Sequence, residues 1–176
     1  MSKKKKNGRA ILAVCCLVVV AFGLLLFFPL PQEPDPKPPE PRTAELTIRC
    51  VGDIMGHLSQ LIANYDSATG VYDFTPDYEY VKDYILEADL SLCNVETTFL
   101  GDGDYKGYPY FNSPDQLARD IAHTGFDVAL FSNNHILDTK LPGLERSLQV
   151  LGEAGLKAAG AYAPGAERTL IVPVGD

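Results

Sequence analysis

VALFSNNHILD, residues 128–138, decides how this chain reads. Val128, Ala129, Leu130 and Phe131 make an apolar run of strand length, and it stops at Ser132, Asn133, Asn134 and His135, with Asp138 one turn further on. Two asparagines and a histidine are poor strand formers. A plain turn would draw on Gly or Asp instead. As neutral oxygen and nitrogen donors they suit the C-terminal end of a strand, where α/β sheets place their sites.

Outward from that stretch, strands and helices alternate. Residues 45–51 (ELTIRCV) read as a strand closed by Gly52-Asp53, and a helix is expected near 57–64. Pro76 opens a second helix on which Tyr80, Val81, Tyr84, Ile85 and Ala88 recur at helical spacing. Residues 89–93 form strand two, ending in Asn94-Val95-Glu96-Thr97, and a polar and aromatic loop runs over 98–112. Ser113-Pro114-Asp115 has the form of a capped helix start with Pro at the first helical position; that helix runs to Thr124 and stops at Gly125. Strand three covers 127–131, a helix 141–154 ends at Gly155, and 156–161 and 169–174 read as strands four and five. Alternation of this kind implies a mostly parallel sheet with right-handed crossovers.

The first 43 residues have a different character. Residues 10–30 are 21 uncharged residues, enough to cross a hydrocarbon core of about 30 Å as a helix. Lys3, Lys4, Lys5, Lys6 and Arg9 precede them and place the N-terminus in the cytoplasm. A cleaved secretory signal is the competing reading, but the run is long and closes in Phe27-Phe28-Pro29-Leu30 with no small-residue cleavage site. The reading is an uncleaved signal anchor over 10–30 behind a basic tail, 1–9. Residues 29–42 hold seven of the thirteen prolines, so 31–43 read as an extended spacer. The domain over 44–176 then lies outside the cell.

That domain carries 8 Lys and Arg against 20 Asp and Glu, a net charge of −12, which excludes a basic nucleic-acid-binding surface. Cys15 and Cys16 lie in the anchor, and Cys50 and Cys93 in strands, where buried thiols are expected rather than a disulfide.

Three strand ends carry chemistry: Asp53 with His57, Asn94 with Glu96, and Asn134-His135 with Asp138. In a parallel sheet they share one edge. Carboxylate, amide and imidazole donors without thiolate suit Mn²⁺, Mg²⁺, Fe or a catalytic Zn²⁺. Two such ions about 3.5–4 Å apart would clamp a phosphoryl group. Each piece alone has a plainer reading: Asp53 as a helix cap, His57 as a solvated helix residue, Asn94 and Glu96 as loop residues bonding their own backbone. Their convergence at one edge favours a site.

Gly52-Asp53-Ile54-Met55, Asn94-Val95-Glu96-Thr97 and Ser132-Asn133-Asn134-His135-Ile136-Leu137-Asp138 together resemble the signature turns of bacterial capsule-synthesis proteins of the CapA type. Tyr110-Phe111-Asn112-Ser113-Pro114 and the Gly160-Ala161 turn extend the resemblance. It implies a role in poly-γ-glutamate production and the calcineurin-like metallophosphatase fold, here the N-terminal half of its αββα sandwich. It implies Asp53, Glu96 and Asn134 as metal ligands, with Asn94 and His57 beside them, and two divalent ions in the complete domain. His135 would protonate or stabilise the substrate, oriented by Asp138. The family's later His-Trp-Gly-like and Gly-His-His-Pro-His-like turns have no counterpart, since the chain has no Trp and no His after His135. A truncated domain is therefore expected, inactive by itself. Two functions remain open: a metal-dependent hydrolase or transferase acting on the envelope polymer, or a non-enzymatic accessory within a polymer synthesis and export complex.

The anchor reading makes one prediction. Protease added to intact protoplasts should digest the 44–176 domain while the N-terminal tail survives; full protection, or release of the domain into the medium, contradicts the anchor.

Overall fold

The computed structural model describes residues 14–21, 23–24 and 43–175. Residues 14–21 and 23–24 are helical. The rest of the expected anchor, the basic tail and almost all of the proline-rich spacer lie outside the described residues. Among the described residues no helix is long and apolar enough to cross a membrane.

From residue 44 the chain forms a separate compact unit. Its main sheet is built from β1 (Ile48–Ile54), β4 (Leu90–Val95), β5 (Val128–Leu130) and β6 (Lys157–Ala159), side by side in that order and all parallel. Between them lie α1 (Leu58–Ala63), a short hairpin of β2 (Tyr65–Asp66) and β3 (Val71–Tyr72), a 3₁₀ turn (Thr75–Tyr78), α2 (Lys82–Leu86), α3 (Asp115–Thr124) and α4 (Lys140–Glu153). The mostly parallel α/β class expected from the alternation is the class observed.

Strands that advance in one direction through right-handed crossovers keep their helices on one side. Here α2 packs on α3, and α3 on α4. The sheet face beneath them carries Ser91, Cys93, Val95 and Ala129, all sealed from solvent, and Leu117, Ile121, Phe131 and Leu151 complete that core. Side chains alternate across a strand. The opposite face therefore receives Ile48, Cys50, Leu92, Val128 and Leu130, in register across β1, β4 and β5. It is apolar yet partly bare, with Ile48 50% and Leu130 37% exposed. Among the described residues, one helical layer covers one face of the sheet.

Four expectations need correction. The single helix expected from Pro76 to Ala88 is split into the 3₁₀ turn and the five-residue α2. Tyr80 and Tyr84 are exposed, and of the proposed apolar stripe Ile85 alone is buried, so no continuous face holds a longer helix together. Instead the buried Asp120 carboxylate accepts from the Phe74 N–H at 2.8 Å and pins the turn to α3. Residues 169–174 form no strand, because no described segment offers them a ladder. Pro114 sits at the N-cap of α3 rather than inside it, and the Ser113 hydroxyl bonds Thr97 instead of capping. Cys50 is exposed on the open face; Cys93 is buried, and both are free thiols. Burial pushes the Cys93 thiol up to about 12, so it packs as an apolar residue.

One ionic tie joins the helical layer to the loop after β4. Arg146 on α4 makes a two-pronged contact with Asp115 at the start of α3 (2.7 and 2.8 Å) and donates to the Phe99 carbonyl at 2.7 Å. Beside it the buried Ser147 hydroxyl accepts from the Phe99 N–H at 2.8 Å and donates to the Gly143 carbonyl. The Arg146 guanidinium holds the Asp115 carboxyl below the usual carboxylate range, against the opposing effect of burial. A depressed carboxyl stabilises the fold above its unfolded pKa, and that contribution is lost as pH falls through the folded value. With both side chains about a third exposed, solvent screening leaves roughly 1–2 kcal/mol for the tie. Urea melts should therefore show Arg146→Ala less stable by that amount at pH 7. The gap to the unmodified chain should narrow as pH falls below the ordinary carboxylate range and Asp115 takes up a proton, leaving the part due to the Phe99 carbonyl.

Candidate functional site

The site begins with an irregularity in β1. Val51 pairs with Cys93, yet Asp53 pairs with Asn94, so Gly52 is an extra residue in the ladder. Without that bulge Asp53 would lie across from Val95, on the buried face; with it, Asp53 joins Asn94 and Ile54 joins Val95. Glu96 follows two residues after Asn94, on the same side, and its N–H donates to the Ile54 carbonyl at 2.8 Å. Asp53 and Glu96 thus emerge next to each other.

Asn94 sits between them. Its amide nitrogen donates to Asp53 Oδ1 at 2.7 Å and to Glu96 Oε2 at 3.1 Å. Burial, together with the neighbouring Asp53 charge, raises the Glu96 carboxyl above its ordinary value, offset in part by His135 and Asn94. The partly buried Glu96 therefore carries its charge at a cost beside the exposed Asp53.

The turn after β5 supplies the third wall. Gly160, in the left-handed region at φ 94°, lets the end of β6 pass against Ser132; a Cβ there would come within 2.5 Å of the Ser132 Cβ. Asn133 then reaches back to β4, its amide nitrogen donating to Asn94 Oδ1 (3.1 Å) and to the Val95 carbonyl (2.9 Å). Its own Oδ1 accepts from the His135 N–H at 3.0 Å, which closes the turn. His135 Nδ1 donates to Asp138 Oδ2 at 2.7 Å, which leaves Nε2 facing Glu96 Oε1 at 3.7 Å. Asp138 Oδ2 also accepts from the Phe111 N–H at 2.6 Å.

Phe111 links the site to the 98–112 loop. Its ring meets His135 edge-on with centroids 4.7 Å apart and His57 at 5.8 Å. The buried Asn112 holds the loop below, accepting from the Leu100 N–H and donating to Asp102 and to the Asp104 carbonyl. Thr98 Oγ1 donates to the Phe111 carbonyl at 2.7 Å.

The residues singled out from the sequence therefore divide. Asp53, Asn94, Glu96, His135 and Asp138 form one connected group. Asn134 is exposed at its edge, with no side-chain hydrogen bond among the described residues. His57 is occupied elsewhere: its Nδ1 accepts from the Leu58 N–H at 2.9 Å at the start of α1, and it meets the group only through Phe111. Among the described residues no three His, Cys, Asp or Glu side chains gather as one metal-holding group. Asn133 and Phe111 were not identified as site residues from the sequence. Asn-x-His with a turn-closing asparagine was the available signal for the first; nothing local marked the second.

The family described as bacterial capsule synthesis protein PGA_cap matches residues 47–176. The chain belongs to that family. It is 37% identical over 92 residues to a probable polyglutamine synthesis accessory protein of Mycobacterium tuberculosis, covering 49% of this chain and 24% of that protein. It is 26% identical over 121 residues to an uncharacterized protein of Sinorhizobium fredii, covering 65% of this chain and 24% of that one. This PGA_cap chain spans about a quarter of the length of the relatives it matches.

Asp138 holds both His135 and Phe111 in the PGA_cap chain, so its removal can be read in two places. Asp138→Ala leaves the Phe111 N–H without its acceptor and should lower stability by about 1–3 kcal/mol in urea melts. The His135 ring resonances should broaden as the ring loses its brace. Asp138→Asn keeps an acceptor oxygen and should recover most of both.

Proposed function

We propose that this PGA_cap protein is a membrane-anchored component of capsule or poly-γ-glutamate synthesis whose strand-end site faces outward and binds a divalent cation. The pairing of Asp53 with Glu96 carries this reading. Two carboxylates held together at the strand edge by one amide, with the Glu96 carboxyl pushed up by burial and by Asp53, are an arrangement that a cation relieves. The donors fit: carboxylate oxygens and the Asn134 amide oxygen suit Mn²⁺, Mg²⁺, Fe or Zn²⁺ and include no thiolate. Asp53 and Glu96 would hold the ion with Asn134 at its open side. Bound there, the cation would supply Lewis-acid polarisation of a phosphoryl, ester or amide oxygen.

The chain's own contribution lies in positioning and proton handling. Asp138 fixes the His135 tautomer, so Nε2 is the nitrogen presented beside Glu96. From there it can accept a proton from a nucleophile or hold one against a leaving group. Phe111, the buried end of the 98–112 loop, keeps that ring from turning.

A second reading is a non-enzymatic accessory that guides the polymer through a synthesis and export complex. The accessory role in the names of the mycobacterial relatives supports it. On either reading the polymer is acidic and so is the domain, and a bound cation would bridge the two.

Asp53→Ala and Asn134→Ala should each weaken Mn²⁺ binding, measured by calorimetry, and lower polymer output in cells, with circular dichroism unchanged. His135→Ala should keep the ion yet lower output, because its role lies with substrate. Normal output from all three variants would leave the site without a function in synthesis.

A further inference from the structure

We propose that Asn133 is the positioning residue of this site, setting which end of the Asn94 amide faces the two carboxylates; this rests on the reading of Asp53 and Glu96 as a cation-binding pair. An asparagine amide has a donating end and an accepting end of nearly equal shape. Between two carboxylates the difference is decisive, since the NH₂ end binds both and the oxygen end would oppose both.

What selects the end is a chain of polarity anchored on the main chain. The Val95 carbonyl can only accept, and it takes one hydrogen of the Asn133 amide at 2.9 Å. The His135 N–H can only donate, and it gives to Asn133 Oδ1 at 3.0 Å. These two backbone groups admit one orientation of Asn133. Its remaining hydrogen then meets Asn94 Oδ1 at 3.1 Å, which turns the Asn94 NH₂ toward Asp53 (2.7 Å) and Glu96 (3.1 Å). Each step passes on the direction of the one before. The β5 turn thereby dictates how the ends of β1 and β4 are held, although Asn133 touches neither acid.

Asn94 consequently leaves the set of cation ligands. Its oxygen is taken by Asn133, and its nitrogen serves to keep Asp53 and Glu96 side by side. Of the two asparagines in the turn, Asn133 sets the site from behind and Asn134 remains free at its front.

The test uses the full chain in detergent micelles. In the cation-free, ¹⁵N-labelled protein the Asn94 side-chain amide, assigned by its loss in Asn94→Ala, should give two inequivalent, slowly exchanging proton signals. In Asn133→Ala those signals should collapse toward solvent positions. Asn133→Asp, which keeps the acceptor for His135 but offers Asn94 only an acceptor, should turn the Asn94 amide around and shift both signals away from their positions in the unmodified chain. An unchanged Asn94 signal in either folded variant overturns the relay. Mn²⁺ calorimetry supplies the second arm. Asn133→Ala should weaken binding about 10–100-fold, as should Asn94→Ala, and the double variant should be no worse than the weaker-binding single. Losses that multiply in the double variant mean that Asn133 does not act through Asn94, and also overturn the proposal. If the unmodified chain takes up no Mn²⁺, the cation reading fails instead, and the amide signals alone decide the relay.

Discussion

Two carboxylates held side by side are the constraint around which this strand edge is arranged. Unit charges about 4 Å apart repel by about 4 kcal/mol at the dielectric near a protein surface. Asp53 and Glu96 meet nonetheless, because the parallel ladder of β1 and β4 leaves them no other course once Gly52 has shifted the register. The Asn94 amide offsets part of the repulsion by donating to both, while burial and the neighbouring Asp53 still hold the Glu96 carboxyl above its ordinary value. Under the proposed function, a cation bound there would offset the repulsion that remains.

The surrounding structure keeps that edge from relaxing. Glu96 is tied to Ile54 through the main chain, Asn133 bridges β5 to β4, and Asp138 joins the turn to the 98–112 loop. The loop is long, but Asn112 and Thr98 satisfy its polar groups from within, so it carries Phe111 as a fixed wall rather than a mobile flap. Behind it, Arg146 and Ser147 fasten Phe99 to the helical layer. Site and core share these elements, so a substitution in one is felt in the other.

The sheet itself is finished on one side only. Helices cover the face of Cys93, Val95 and Ala129, whereas the face of Ile48, Cys50 and Leu130 is apolar and partly bare. Parallel sheets normally have both faces covered.

The order of strands and helices, the parallel sheet and the residue types at the three strand ends could be read from the sequence, because each rests on local periodicity or on turn chemistry. Gly125 ending α3 and Gly155 following α4 are of that kind, both in the left-handed region. Tertiary structure decided the rest. Whether Tyr80 and Tyr84 would bury depended on α3, which offers room for Ile85 alone, and residues 169–174 needed a neighbouring strand to become one. The site followed the same division. Asp53, Glu96 and His135 were visible as chemistry, but the Gly52 bulge that aligns the acids is a relation between two strands. The choice of Asn133 over Asn134 as the inward residue is a relation among three. Adjacent asparagines are chemically identical in a sequence; only the backbone groups each one faces tell them apart.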